Sequence, residues 1–165
     1  MVAEYFGRHG FTEQSIAQAM QIRAPAGNEK GLYGTSTRQL VAFFSREGFR
    51  VQSSLGRQKP LSFEKFEDFK AWALLHLKQG LPIMVEWIDW GGHWQVIIGY
   101  DTMGTSSPED DVLVFADPCD LTDHCCDGYY VFGAARFFSM WFDARFFNDN
   151  EAAQQWVIAQ TKGGN

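Results

Sequence analysis

Cysteine is scarce in this sequence, which has three cysteines among 165 residues. Cys119, Cys125 and Cys126 all fall within one short stretch. An odd number of cysteines crowded into a single loop makes a poor disulfide framework, and such a framework is typical of small secreted domains. The sequence therefore predicts reduced thiols and a cytoplasmic location.

Long apolar runs and basic clusters are also missing. No apolar stretch approaches the roughly 20 residues of a membrane-spanning helix, and the amino terminus lacks the basic and then apolar pattern of a signal peptide. The 14 Lys and Arg residues are outnumbered by 20 Asp and Glu residues, and they form no run that could follow a phosphate backbone. The sequence predicts neither a membrane segment nor a nucleic-acid partner.

Apolar and aromatic residues, in contrast, are abundant. Hydrophobic residues make up 45% of the sequence and aromatic residues 16%, whereas charged residues make up 21%. This balance excludes a disordered chain, and the length suits one domain with a substantial core. Because the chain shows no repeat and no linker, we predict a single domain over residues 1–165.

The first half of the sequence shows the apolar spacing that is typical of helices. We predict four helices there, which begin near Val2, Thr12, Thr35 or Ser36, and Ser62. The last of them is the most periodic; it ends at Gly80 and presents one apolar stripe, formed by Phe66, Phe69, Ala73 and Leu77. A short strand is predicted from Phe49 to Leu55.

From Leu81 onward the pattern changes to that of strands, rich in Val, Ile and aromatic residues. The predicted elements are strands at 82–87, 93–100 and 111–117, a helix at 134–142 and a strand at 155–160. Two glycines and then a polar insert separate the first three strands, which predicts hairpin connections. Helices first and strands later predict an α+β fold in which a helical layer packs on an antiparallel sheet.

His93 stands at the start of a predicted strand, directly after two glycines that allow another chain to approach. A hairpin that pairs Asp101 with either of the last two residues of the polar insert places His93 opposite Asp117 or the residue after it. Directly opposed residues have Cβ atoms about 4.5–5.5 Å apart. A carboxylate that holds one ring nitrogen leaves the other free to deprotonate a Ser or Cys nucleophile. The sequence therefore predicts a His-Asp pair.

Ordinary structural roles for these residues stay open. His93 can equally be a half-buried strand residue and Asp117 a turn residue. Cys119 is too close to Asp117 along the chain to reach the attacking face of the imidazole. Cys125 and Cys126 are adjacent thiols in a polar loop, which indicates solvated rather than catalytic groups.

The same loop concentrates potential metal ligands, which are Asp117, Asp120, Asp123, His124, Cys125, Cys126 and Asp127. It lacks the spaced cysteine pairs of zinc sites, and it lacks the central Gly and terminal Glu of a calcium loop. We therefore predict a hydrogen-bonded acidic turn, with no metal and no cofactor.

Two segments of the sequence resemble a known family. Gly92–Asp101, which contains His93, and the strand that ends in Ala116, Asp117 and Pro118 are similar to the His and Asp blocks of the bacteriocin-processing peptidases. These enzymes, which cleave after double-glycine leaders, are papain-like cysteine peptidases. The resemblance implies a papain-like fold, a bacterial origin and hydrolysis of a peptide or protein substrate. It makes His93 the general base and acid, and Asp117 its orienting partner.

The resemblance extends upstream but omits the nucleophile. Met1–Gly7 is similar to the back of the family's nucleophile helix, and Gly34-Thr35-Ser36 to the motif that opens its third helix. In the family the nucleophilic cysteine precedes these residues in a Cys-Gly-Pro context. We therefore expect an amino-terminally truncated peptidase that is inactive as it stands. The alternative is a non-catalytic pseudo-peptidase that binds a peptide or small molecule in the vestigial cleft.

Overall fold

Six β-strands form one sheet in a computed structural model that describes residues 1–22, 34–57, 61–120, 125–144, 147 and 151–161. The strands are β1 Phe49–Ser53, β2 Ile83–Trp87, β3 His93–Asp101, β4 Val112–Ala116, β5 Tyr129–Gly133 and β6 Gln155–Thr161. Their order across the sheet is β1-β6-β2-β3-β4-β5, and all neighbouring strands are antiparallel. The predicted α+β class with an antiparallel sheet is confirmed, although β5 was not among the predicted strands.

Five α-helices accompany this sheet within the described ranges. They are α1 Val2–Tyr5, α2 Glu13–Ala19, α3 Thr37–Arg46, α4 Phe66–Lys78 and α5 Ala134–Ser139. Thr12 caps α2 and Ser36 caps α3, because each side chain accepts a hydrogen bond from the backbone N–H three residues on. No helix among the described residues combines the length and the apolar character needed to cross a bilayer.

The start of α4 differs from the prediction. The helix begins at Phe66, with Lys65 at the cap position, instead of near Ser62. The Ser62 hydroxyl accepts hydrogen bonds from Arg57 at 2.8 Å and from Trp156 at 3.0 Å. Its oxygen therefore ties the segment before α4 to β6, and it is not available to satisfy the first turn of the helix.

Helices cover both faces of the sheet, because alternate residues of a strand point to opposite sides. Val85 of β2 belongs to the same apolar cluster as Phe137 of α5. Its neighbour Met84 belongs to a second cluster, which contains Phe43 of α3. The predicted helical layer is thus divided between the two faces of the sheet.

The hairpin of β3 and β4 has a different register from the predicted one. Asp101 pairs with Val112 rather than with Asp110 or Glu109, and the register shifts once between Ile97 and Gly99. The preceding residue, Asp111, is fully buried, and its carboxylate accepts hydrogen bonds from Lys70 and Tyr100, each at 2.5 Å. Because these hydrogen bonds hold Asp111 just before β4, the loop between β3 and β4 extends past the polar insert and includes Asp111.

The aromatic core predicts a large difference between two nearby phenylalanines. Phe137 is fully buried, with its ring centroid 5.2 Å from that of Trp87, whereas Phe142 is 42% exposed. We expect Phe137→Ala to lower the free energy of unfolding by about 3–5 kcal/mol, and Phe142→Ala to change it by about 0.5 kcal/mol or less. Urea denaturation followed by fluorescence measures both. Equal losses in the two variants would contradict this assignment of the core.

Candidate active site

His93 is the first residue of β3 and follows a tight turn. Residues Asp89–Gly91 form a single 3₁₀ turn, and Gly92 then adopts a φ of +118°, a conformation that side chains other than glycine rarely accept. The Nε2 atom of His93 lies 2.7 Å from Oδ1 of Asp117. The imidazole is 14% exposed while the carboxylate is fully buried, so the ring is the member of the pair that solvent can reach.

The contact between His93 and Asp117 is diagonal. Val96 pairs with Ala116, so continuing this register by one residue places Asp117 opposite Gln95. Diagonal neighbours on one face of a sheet remain within reach of a long side chain. The structure therefore brings together the two side chains named from the sequence, although the register used to align them was wrong.

Three donors hold the Asp117 carboxylate. Besides His93, the amide Nε2 of Gln95 donates to Oδ2 at 2.7 Å, and the backbone N–H of Cys119 donates to Oδ1 at 2.9 Å. Burial alone would raise the pKa of this carboxyl group, but the hydrogen bonds outweigh it and hold the pKa below its ordinary value. Asp117 is consequently ionised at neutral pH.

Gln95 is itself fixed by a buried partner. The indole Nε1 of Trp87 donates to Oε1 of Gln95 at 2.6 Å, which turns the amide nitrogen toward Asp117. Both Gln95 and Trp87 are almost completely buried. Neither residue was predicted from the sequence to belong to the site. The available signal was the spacing of two between His93 and Gln95, which places both on the same face of a strand.

This arrangement makes His93 a suitable general base. Because Asp117 accepts the proton of Nε2, the neutral ring leaves Nδ1 unprotonated and able to take a proton from a nucleophile. Cys119 has its sulfur within 4.8 Å of a His93 nitrogen and an Asp117 oxygen. However, burial and the nearby charges of Asp117 and Asp89 raise the pKa of the Cys119 thiol, which disfavours the reactive thiolate.

A comparison with protein families assigns the chain to a known group. A family model described as papain-like cysteine protease AvrRpt2 matches residues 1–125, a range that contains both His93 and Asp117. The chain belongs to this family. No curated protein matches the chain, and no solved structure does. The predicted papain-like cysteine peptidase superfamily is confirmed, while the closer resemblance to the bacteriocin-processing peptidases stays a prediction.

In the loop after Asp117, aspartate side chains accept hydrogen bonds from backbone N–H groups. Asp120 accepts a hydrogen bond from the N–H of Gly128 at 2.6 Å, and Asp127 accepts one from the N–H of Tyr129 at 3.0 Å. These contacts agree with the predicted acidic turn. Asp123 and His124 lie outside the described residues. Cys125 and Cys126 are exposed, and no disulfide joins any of the three cysteines.

A buried pair of carboxyl groups lies against the turn that precedes His93. Glu86 of β2 and Asp143 are 3% and 1% exposed, and they share a hydrogen bond. Burial, together with the hydrogen bond and charge of Asp143, raises the pKa of Glu86 to about 10. Glu86 is therefore protonated at neutral pH, when it can donate to Asp143. The sequence offered one signal, an acidic residue in an otherwise apolar strand.

Gly92 packs directly on this pair, since a Cβ added there would lie 2.4 Å from Oδ2 of Asp143. We expect Gly92→Ala to lower the free energy of unfolding by at least about 2 kcal/mol, through backbone strain and this collision. Gly104→Ala is the matched control, because Gly104 also has a positive φ but no atom within 4 Å of the added Cβ. Its cost should be about 1 kcal/mol. Equal costs in urea denaturation would contradict the close packing.

The Glu86 proton predicts a specific pH dependence of stability. Between pH 4.5, the ordinary pKa of a glutamate side chain, and about pH 10, the folded chain holds a proton on Glu86 that the unfolded chain does not. Stability must therefore fall as pH rises through this window, by up to about 1.4 kcal/mol per pH unit. Glu86→Gln should remove this contribution, while Glu109→Gln on the surface should not. An unchanged slope in Glu86→Gln, measured by urea unfolding at several pH values, would show that Glu86 is ionised when folded.

Proposed function

We propose that this chain supplies the general base, His93, of a cysteine peptidase that hydrolyses peptide bonds in a peptide or protein substrate. The main observation that supports this proposal is the 2.7 Å hydrogen bond between His93 and the buried, ionised Asp117. Membership of a papain-like cysteine protease family supports the reaction type. The low and odd number of cysteines supports a cytoplasmic location as a further part of the proposal.

The proposed mechanism assigns one role to each member of the pair. Nδ1 of His93 takes the proton of a cysteine thiol, and the thiolate attacks the carbonyl carbon of the substrate. The imidazolium formed in this step is stabilised by the Asp117 carboxylate, and His93 then gives its proton to the leaving amine. A water molecule, activated by His93 in turn, hydrolyses the acyl-enzyme. Gln95 acts as a positioning residue, because its amide donates a hydrogen bond to Asp117, which in turn orients the imidazole.

We propose that the nucleophile is none of the three cysteines in residues 1–165. The raised pKa of Cys119 opposes its use, and Cys125 and Cys126 are exposed thiols within the acidic turn. In the bacteriocin-processing peptidases that the sequence resembles, the thiol precedes the first helix in a Cys-Gly-Pro context. We therefore expect an in-frame Cys-Gly-Pro ahead of the Met1 codon in the complete coding sequence.

The second candidate function is that of a pseudo-peptidase that binds a peptide or small molecule. A groove of about 290 Å³ favours it, lined by apolar side chains that include Val2, Val96, Ala116 and Tyr129. Ala116 directly precedes Asp117, so a molecule held in this groove would lie beside the end of β4. Binding without hydrolysis, by a protein whose full coding sequence lacks the Cys-Gly-Pro codons, would establish this candidate in place of the peptidase.

The peptidase proposal predicts a strong dependence on His93. In the full protein, we expect His93→Ala and Asp117→Asn each to lower kcat/KM for fluorogenic peptides by about a thousandfold or more, since each removes one member of a catalytic unit. His9→Ala is the matched control, because His9 is exposed and remote from the pair in sequence. Unchanged turnover in His93→Ala would remove this residue from the mechanism.

A chemical experiment addresses the nucleophile directly. Iodoacetamide alkylates cysteine thiolates, and mass spectrometry identifies the modified residue whose labelling parallels the loss of hydrolysis. We expect that residue to be a cysteine other than Cys119, Cys125 and Cys126. Inactivation that parallels labelling of one of these three would contradict the assignment.

A further inference from the structure

Cys119 brings a third type of metal ligand to the His93–Asp117 pair. Its backbone N–H donates to Oδ1 of Asp117, which holds the residue close to the carboxylate. One ligand atom from each of the three side chains lies within 4.8 Å of the other two. The set therefore combines an imidazole nitrogen, a carboxylate oxygen and a sulfur, which are the three kinds of donor that zinc binds in proteins.

The burial of the three side chains gives this cluster a closed side and an open side. Asp117 is buried, His93 is partly buried and Cys119 is exposed. An ion can thus enter from solvent past the thiol and still contact the carboxylate. With three protein ligands, the fourth tetrahedral position faces the open side and can hold water.

The local charge also favours a dication. The negative charges of Asp117 and Asp89 act on the Cys119 side chain. A divalent cation is attracted by these charges and stabilises the thiolate that it binds.

We propose that His93, Asp117 and Cys119 form a zinc-binding site. Binding at Nε2 of His93, a carboxylate oxygen of Asp117 and Sγ of Cys119 releases one proton, that of the thiol, while the ring proton moves from Nε2 to Nδ1 so that a neutral imidazole binds the metal. Zinc bonds of about 2.0–2.3 Å hold neighbouring ligand atoms about 3.2–3.8 Å apart. The 2.7 Å separation of Nε2 and Oδ1 must therefore widen, while the exposed thiol moves inward.

Zinc binding at this site would make the ion an inhibitor, a consequence that rests on the proposed peptidase function. The metal occupies the ring nitrogen that Asp117 otherwise holds, and its positive charge opposes protonation of His93. The imidazole can then no longer exchange a proton with a nucleophile. Zinc would consequently act as a reversible brake on hydrolysis.

Cobalt(II) tests the site without any assay of hydrolysis, because cobalt bound to a thiolate gives a charge-transfer absorption in the near ultraviolet. We expect this band when Co²⁺ is added to the 165-residue protein, and its loss when Zn²⁺ displaces the cobalt. Cys119→Ser should abolish the band, whereas the matched variant Cys126→Ser should retain it. His93→Ala and Asp117→Asn should weaken Zn²⁺ binding by about tenfold or more.

Opposite results would overturn the site. A band that persists in Cys119→Ser and disappears in Cys126→Ser would place the metal in the neighbouring loop, and no band in the unmodified protein would exclude a thiolate site. If Cys119→Ser does not fold, the ring signals of His93 in the unmodified protein provide the second test, since Zn²⁺ must shift them. These measurements use no substrate, so they are independent of whether the full protein hydrolyses peptides.

Discussion

The carboxylate of Asp117 carries a negative charge inside the fold, and the neighbouring architecture keeps that charge stable. A buried carboxylate requires several donors, because it has lost the water that would otherwise solvate it. An imidazole, a side-chain amide and a backbone N–H supply them from β3 and from the turn after β4. Since Trp87 fixes the amide in turn, the orientation of the His93 ring follows from contacts that begin in the core. These contacts hold the partly exposed imidazole in one orientation.

The sequence predicted most of the fold, because its elements have clear periodicity and clear boundaries. Thr12 and Ser36 cap helices as their positions predicted, and the apolar runs on either side of Gly91-Gly92 pair as β2 and β3. The start of α4 could not be predicted from local signals, since the partners of Ser62 come from distant parts of the chain. Strand β5, Tyr129–Gly133, lies at the edge of the sheet, so alternate residues are exposed. Because these exposed positions hold Tyr129 and Val131 instead of polar residues, the sequence lacks the alternation of apolar and polar residues that predicts a strand.

The sequence predicted the two principal residues of the candidate site, but it did not predict the contacts that align and hold them. His93 follows a glycine turn and Asp117 ends an apolar strand, and both signals are local. Their exact alignment depends on the bulge between Ile97 and Gly99 and on the burial of Asp111, which no local pattern reveals. The role of Gln95 requires knowledge of which residue lies opposite Asp117. The pairing of Glu86 with Asp143 requires the tertiary fold, because it joins β2 to the segment that follows α5.

The protonated state of Glu86 has a consequence for the calorimetry of this protein. At neutral pH the folded chain is one charge less negative than its formal value of -6, because it retains a proton on a carboxyl group that is ordinarily ionised. When the chain unfolds, Glu86 recovers its ordinary acidity and transfers that proton to the buffer. The apparent heat of denaturation therefore includes the ionisation enthalpy of whichever buffer is used.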